Sequence, residues 1–422
     1  MSQGSELALF GGEPVIRVPF PPYTSLGEQE VEAAARVVRS GVLSAYIGAA
    51  GPGFMGGPEL RAMESAVAEY FGVEHCLAVN SWTSGLHCCV GALALAPGDE
   101  VITSPWTMAA TATVILQWNA VPVFADIDPM TFNLDPASVK ERITDRTRAI
   151  LAPDIFGQSA NVEALMALCD RYGLQLISDS AQAPGALRHG SYAGTLGHIG
   201  GYSLNYHKHI TCGEGGLVVT DDDALAHRVA LLRNHGEVAV SQGDEASPRH
   251  GILGSNFRMG EIEAAITLQQ LPKLTERVAS RAAAAARLDL GLSALPGLRT
   301  PVVDPGNTHV YYVYGLVLDE ELAPARFQII EALRAEGVPA LSAGYQNVHR
   351  LALFADRLAY GRPGNPFDGQ EAREDSCPVA EALHDSSFFG MLLCAHEFDE
   401  SQTDLITEAF RKVWESMDRL VP

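Results

Sequence analysis

The stretch 149–177, AILAPDIFGQSANVEALMALCDRYGLQLI, decides the fold. Ala149-Ile-Leu-Ala152 is a short apolar run of strand character. Val162 to Tyr172 has helical apolar spacing, and Leu174 to Ile177 is apolar again. A strand, a helix of about ten residues and a second strand make a βαβ unit with parallel strands. Upstream the same alternation recurs. Glu28 to Gly41 reads as a helix, Cys76-Leu-Ala-Val79 as a strand and Thr83 to Leu95 as a helix. Glu100-Val-Ile-Thr103, Ala109 to Trp118 and Val121 to Phe124 continue it as strand, helix and strand. The pattern holds from about residue 30 to 235. It places the chain in the α/β class, with a mostly parallel sheet covered by helices on both faces.

Downstream the character changes. Gly260 to Leu292 is a long Ala-rich run interrupted only by Pro272, which predicts a bridging or kinked helix. After Pro296 come a strand-like segment (Val310 to Leu318), a helix (Pro324 to Glu336), a Gly/Pro-rich loop around Gly361 to Asp368, and a last helix from Gln402 to Leu420. The expected division is a large unit over 1–274, N-terminal arm included, and a smaller C-terminal α+β unit over 275–422. A length of 422 residues fits two or three domains of roughly 150.

Composition excludes several function classes. Twenty-nine basic and 51 acidic side chains leave a formal charge of −22, which repels nucleic acid and anionic membrane surfaces. The seven cysteines are odd in number and lack CxxC spacing, against a disulfide framework or structural zinc. No stretch reaches the ~18 apolar residues of a membrane span, and the opening MSQGSELALFGGEPV has no basic n-region. A cytoplasmic protein is expected.

Ligands of open parallel sheets bind beyond the carboxyl ends of the strands, so the residues just after each strand matter most. Four junctions stand out. Asn80-Ser-Trp-Thr-Ser-Gly-Leu86 opens a helix with hydroxyls and free amides, either a plain N-cap or a phosphate site. Ser104-Pro-Trp106-Thr107 puts an aromatic where it either stacks on a planar ligand or fills the core. Asp179 ends an apolar strand, with Gln182 after it. A carboxylate there caps a helix, binds metal, contacts a ribose or pairs with a cationic ring nitrogen. Metal is the weakest of these, because no second ligand lies nearby at the right spacing. The fourth junction, Gly201 to Gly216, contains Ser203 and a single lysine, Lys208, among aromatics, His207, His209 and glycines. A lysine lodged among apolar groups loses its charge readily, as Schiff-base chemistry requires. The glycine-rich runs 48–57 and 194–201 do not follow a strand and read as turns. Together the four junctions supply a phosphate cradle, a stacking aromatic, a carboxylate for a ring nitrogen and a Schiff-base lysine. Pyridoxal 5′-phosphate uses all of them.

On these residues the chain resembles the DegT/StrS-type sugar aminotransferases, fold type I pyridoxal-phosphate enzymes. The matching stretches include FGVEHCLAVNS, PGDEVITSPWT, AVPVFADIDPMTFNLD, SDSAQAPGA, YHKHITCGEGG and GSNFRMGEIEAAITLQQL. The resemblance implies that Lys208 holds the cofactor as a Schiff base and that Asp179 pairs with its pyridine nitrogen. It further implies that Gln182 lies near the phenolic oxygen, that Trp106 stacks on the ring, and that Trp82, Thr83 and Ser203 hold the phosphate. Asn256 is expected to reach the phosphate of a neighbouring subunit, in a homodimer or larger assembly such as a tetramer. Trp82 stands where the family commonly has glycine, so a backbone amide must make that phosphate contact while the indole shapes the pocket. Pro184 and Asp154 stand where histidine is common.

Related deoxysugar dehydratases carry histidine in place of the lysine, so Lys208 favours transamination over an epimerase, dehydratase or bifunctional activity. The intact set of Asp179, Gln182, Ser203 and Lys208 argues against a binding homologue without catalysis. The implied reaction moves an amino group from glutamate or glutamine to a keto-sugar or keto-cyclitol, in aminosugar or aminocyclitol antibiotic biosynthesis. The opening LFGGEPVIRVPFPPY resembles the aminocyclitol-forming members, and the acidic chain tilts the acceptor toward a lightly charged polyol ketone.

Overall fold

The computed structural model describes residues 6–48, 51–236, 252–364, 366–367 and 376–420. Parts of the readings above lie outside them: residues 1–5 of the opening stretch, 49–50 of the first glycine-rich run, and 365 and 368 of the Gly/Pro-rich loop. In chain order the large unit runs α1 (Glu28–Ser40), α2 (Pro58–Phe71), β1 (His75–Val79), α3 (Trp82–Ala92), β2 (Glu100–Thr103), α4 (Ala109–Gln117) and β3 (Val121–Phe124). It continues with α5 (Pro136–Arg142), β4 (Thr147–Pro153), α6 (Val162–Tyr172), β5 (Gln175–Asp179), a two-stranded hairpin of β6 (Leu187–Arg188) and β7 (Ser191–Tyr192), β8 (Ile199–Ser203), β9 (Gly216–Thr220) and α7 (Asp223–Arg233).

Local chemistry sets the boundaries. Helix α6 starts on Asn161, whose side chain accepts from the Ala164 N–H, and stops where Gly173 turns left-handed at φ 68°. Seven strands pair in the order β1-β9-β8-β5-β4-β2-β3. Contacts from β8 through β3 are parallel, while β9 runs antiparallel to both its neighbours. Every strand but β9 therefore points its carboxyl end to one edge. Val79 and Ser203, the last residues of β1 and β8, both pair with Gly216 at the start of β9.

One expectation needs correction. The run 194–201 is not simply a turn, because β8 begins at Ile199 and is buried throughout. Its glycines are there for close approach: a Cβ at Gly200 would meet Gly194 O at 2.3 Å, and one at Gly201 would meet Leu217 O at 1.9 Å.

Pro272 divides the Ala-rich run as expected, into α8 (Glu261–Gln270), a short 3-10 turn (Leu271–Lys273) and α9 (Leu274–Leu292). The C-terminal unit adds β10 (Leu298–Arg299), β11 (Tyr314–Leu318), α10 (Arg326–Ala335), β12 (Leu341–Ala343) and β13 (Phe388–Met391). Its strands form an antiparallel sheet ordered β10-β11-β13-β12. The last long helix, Glu400–Trp414, packs on it through Ile406, Phe410 and Val413. The N-terminal arm joins this core rather than that of the large unit: Leu7, Ile16 and Phe20 are buried with Tyr314, Ile329 and Phe410. Buried Glu336 ties it down, accepting from the Ala8 and Val15 amides at 2.8 and 3.0 Å and pairing with Lys412 at 2.9 Å. All seven cysteines are buried thiols outside any disulfide. Among the described residues no helix is long and apolar enough to cross a membrane.

Candidate active site

The carboxyl edge of the large sheet gathers the four junctions. Asp179 is the last residue of β5, Ser203 the last of β8, and Trp82 the first of α3. Trp106 follows β2 by three residues. The shared pairing of Val79 and Ser203 with Gly216 brings the N-terminus of α3 beside the end of β8. Ser81 caps that helix, its hydroxyl accepting from the Ser84 N–H at 3.1 Å. First-turn amides have no acceptor inside their own helix and carry the positive end of its dipole. With exposed Thr83 and buried Ser203 at hand, this corner suits an anion.

Asp179 is only 6% exposed, yet three donors meet its carboxylate. The Trp82 indole N–H reaches Oδ1 at 2.6 Å, the Thr111 hydroxyl reaches Oδ2 at 2.9 Å, and the Ala181 amide reaches Oδ1 at 3.3 Å. Burial pushes the carboxyl up from its ordinary value, while these hydrogen bonds and the charge of Lys208 pull it back. A carboxylate offers about four acceptor positions, so one remains for a further donor.

Lys208 is also nearly enclosed. Its Nζ lies 4.2 Å from the centre of the Tyr312 ring. Burial brings its ammonium down to about 8, against the opposing pull of Cys394 and Asp179. The neutral amine is the nucleophile, so lowering the pKa raises reactivity near neutral pH. The rate at which the apoenzyme condenses with pyridoxal should therefore rise with pH through a midpoint near 8. Stopped-flow absorbance checks this, and a midpoint near the ~10.4 of a solvated lysine contradicts it.

The Gln182 carbonyl accepts from the Phe156 N–H at 2.8 Å, and its amide donates to the Tyr345 hydroxyl at 3.1 Å. Trp106 is fully buried, with Phe132, Phe388 and Tyr345 around its ring. It meets a planar ligand only if a neighbour gives way, and Tyr345, tilted 41° at 5.5 Å, is the one bonded to Gln182. Asn256 is exposed on a segment bridged to Asn234, where its side-chain oxygen accepts from the Arg258 N–H at 3.5 Å. Asp154 supports the loop after β4: it accepts from the Ser180 hydroxyl and, at 2.7 Å, from the Ala160 N–H, and burial raises it to about 7. Pro184 sits in the turn beyond Gln182. Of the two histidines flanking Lys208, His209 is a packing residue, fully buried with Nε2 2.9 Å from Val310 O. Thr111, Tyr312 and Tyr345 were not singled out from sequence. Thr111 lies one helical turn beyond Thr107, to whose hydroxyl it bonds at 3.0 Å, a usable signal. The two tyrosines come from the C-terminal unit, and nothing local marks them.

These donors suit one cofactor. An anion corner, a buried carboxylate with an open acceptor position and a buried, easily neutralised lysine match the phosphate, ring nitrogen and aldehyde of pyridoxal 5′-phosphate. Fold and site thus define a fold type I, pyridoxal-phosphate-dependent aminotransferase. Residues 44–383 match the model of the DegT/DnrJ/EryC1/StrS aminotransferase family, and the chain belongs to that family. It is 37% identical over 430 residues to the L-glutamine:2-deoxy-scyllo-inosose aminotransferase of Streptomyces paromomycinus, spanning 96% of this chain and 97% of that one. It is 38% identical over 278 residues to the GDP-perosamine synthase of Caulobacter vibrioides, spanning 65% and 73%. Among solved structures it is similar to an aminotransferase from Psychrobacter cryohalolentis, with a TM-score of 0.82 at 27% identity, covering 95% of this chain and all of that one.

Proposed function

We propose that the enzyme transfers the amino group of glutamine or glutamate to a keto-cyclitol or a lightly charged keto-sugar in specialised-metabolite biosynthesis. The observation that carries this reading is the similarity, along 96% of the chain, to an aminotransferase named for glutamine and 2-deoxy-scyllo-inosose. The site supports it as well. Apart from Lys208 and Asp179, the side chains gathered there (Tyr312, Tyr345, Gln182, His207, Ser203) are neutral hydrogen-bonding or aromatic groups suited to a polyol.

The cofactor, when bound, supplies an electron sink for the carbon that loses or gains the amine. The chain's own residues do the rest. Asp179 keeps a proton on the ring nitrogen through its open acceptor position. Gln182 would face the phenolic oxygen, the α3 amides of Trp82 and Thr83 would hold the phosphate with Ser203, and Trp106 would stack on the ring once Tyr345 gave way. Lys208 anchors the cofactor and, once released, takes the proton from the donor's α-carbon. In the second half it gives a proton to the former carbonyl carbon of the acceptor. Asn256 completes the phosphate site of a partner subunit in a homodimer. Its exposure supports this, as do the apolar side chains of Val31, Val38, Leu43 and Ile47, each more than half exposed on one chain. Seven buried thiols outside any disulfide suit the cytoplasm.

The acceptor class is testable directly. Titration calorimetry with UDP, GDP and TDP should give no saturable binding, whereas 2-keto-cyclitols should be aminated. Saturating affinity for a nucleoside diphosphate alone would instead make the acceptor a nucleotide-linked sugar.

A further inference from the structure

The side chain of Trp82 does something that a glycine at this position cannot. Its indole N–H donates to Asp179 Oδ1 at 2.6 Å, the shorter of the two side-chain hydrogen bonds on that carboxylate. The indole is 95% buried and lies in a slot that the neighbouring backbone leaves open. A Cβ at Gly85 would come within 2.6 Å of the ring, and one at Gly201 within 2.5 Å. A Cβ at Gly216 would strike the Trp82 backbone nitrogen at 2.6 Å. Gly85 on α3 and Gly201 on β8 thus make room for one large side chain, Gly216 on β9 makes room for its backbone, and that side chain delivers its single donor to the site carboxylate.

The geometry fixes what the contact does. With Trp82 and Ala181 on Oδ1 and Thr111 on Oδ2, the one acceptor position left is on Oδ2. The carboxylate cannot rotate without losing the indole bond. We propose that Trp82 is a positioning residue for Asp179: its indole N–H locks the carboxylate rotamer and favours the charged form, so that Oδ2 is presented to the cofactor's ring nitrogen. This rests on the assignment of Asp179 to that nitrogen made above. Trp82 therefore acts at two points, its backbone at the phosphate corner and its side chain on the carboxylate.

The test is a double-mutant cycle of Trp82→Phe and Asp179→Asn, read on the holoenzyme as kcat, donor KM, cofactor dissociation constant and the pH midpoint of the bound cofactor's visible absorbance. Trp82→Phe keeps an apolar ring in the slot and removes the donor. A hydrogen bond to a charged group lost in this way lowers kcat and cofactor affinity about tenfold to a hundredfold. Donor KM should change little, and the absorbance midpoint should shift, because a carboxylate held less firmly in its charged form keeps the ring nitrogen less fully protonated and so alters the basicity of the conjugated chromophore. In the Asp179→Asn background the same substitution should change kcat by less than about twofold, since there is no charge left to position. Trp82→His, which restores a ring N–H, should recover part of the loss, and a melting curve of each apoprotein separates misfolding from the effect sought. Equal losses from Trp82→Phe in both backgrounds, or an unmoved absorbance midpoint, would reduce the indole to core packing. If Asp179→Asn itself left affinity and kcat intact, the assignment of Asp179 would fail instead.

Discussion

Replacing Lys208 by alanine is expected to lower kcat for transamination by about four orders of magnitude or more, the largest effect of any single substitution here. Two losses combine. The amine that anchors the cofactor disappears, and with it the base that moves the proton between donor and acceptor carbons. Two neighbours are poor replacements: Tyr312, whose ring centre lies 4.2 Å from Nζ, has its hydroxyl pushed far up by burial, and His209 is held on Val310 O and driven well below its ordinary value. The cavity left by the lysine stem should admit a small amine, so added ethylamine is expected to restore part of the rate. Steady-state kinetics with and without amine check this. A Lys208→Ala enzyme within tenfold of the parent would remove Lys208 from the chemistry.

Asp179→Asn is expected to cost about a thousandfold in kcat, the size of loss seen when one preorganised electrostatic partner is removed. Asparagine has nearly the same shape, so the fold should survive. What changes is charge, and orientation with it. The amide has one carbonyl where the carboxylate had two acceptor oxygens, so Trp82 and Thr111 can no longer both donate to acceptors in the present arrangement. The ring nitrogen then loses the anion that keeps it protonated. Kinetics together with an apoprotein melt separate the catalytic loss from destabilisation, and a loss smaller than tenfold would contradict the role.

The sequence made the parallel sheet legible because its strands are short, apolar and separated by helices of about ten residues. Asp179 was legible for the same reason, at the carboxyl end of an apolar strand, whereas Lys208 was legible as the single lysine among aromatics and glycines, with Ser203 in the same stretch. Strand β8 was hidden, since its Gly200 and Gly201 look like turn residues and only the neighbouring backbone explains them. Thr111 was hidden by distance along the chain, 68 residues from the carboxylate it serves. Tyr312 and Tyr345 come from the second unit, and a single sequence carries no signal for contacts over such separations. Trp82 was visible as a departure from pattern, but the direction of its indole depends on Gly85 and Gly201, which lie far apart along the chain. The N-terminal arm packs on the C-terminal core through Glu336, a long-range tie that local periodicity does not encode.

If one site runs both halves of a transamination, the absorbance of the loaded enzyme reports each half in turn. Glutamine or glutamate, added alone, should bleach the visible band in a single turnover and release the matching keto acid. A keto-cyclitol or keto-sugar added next should restore the band and leave an aminated product. A band that persists with every amino donor, or a sugar product formed without consuming one, would contradict it.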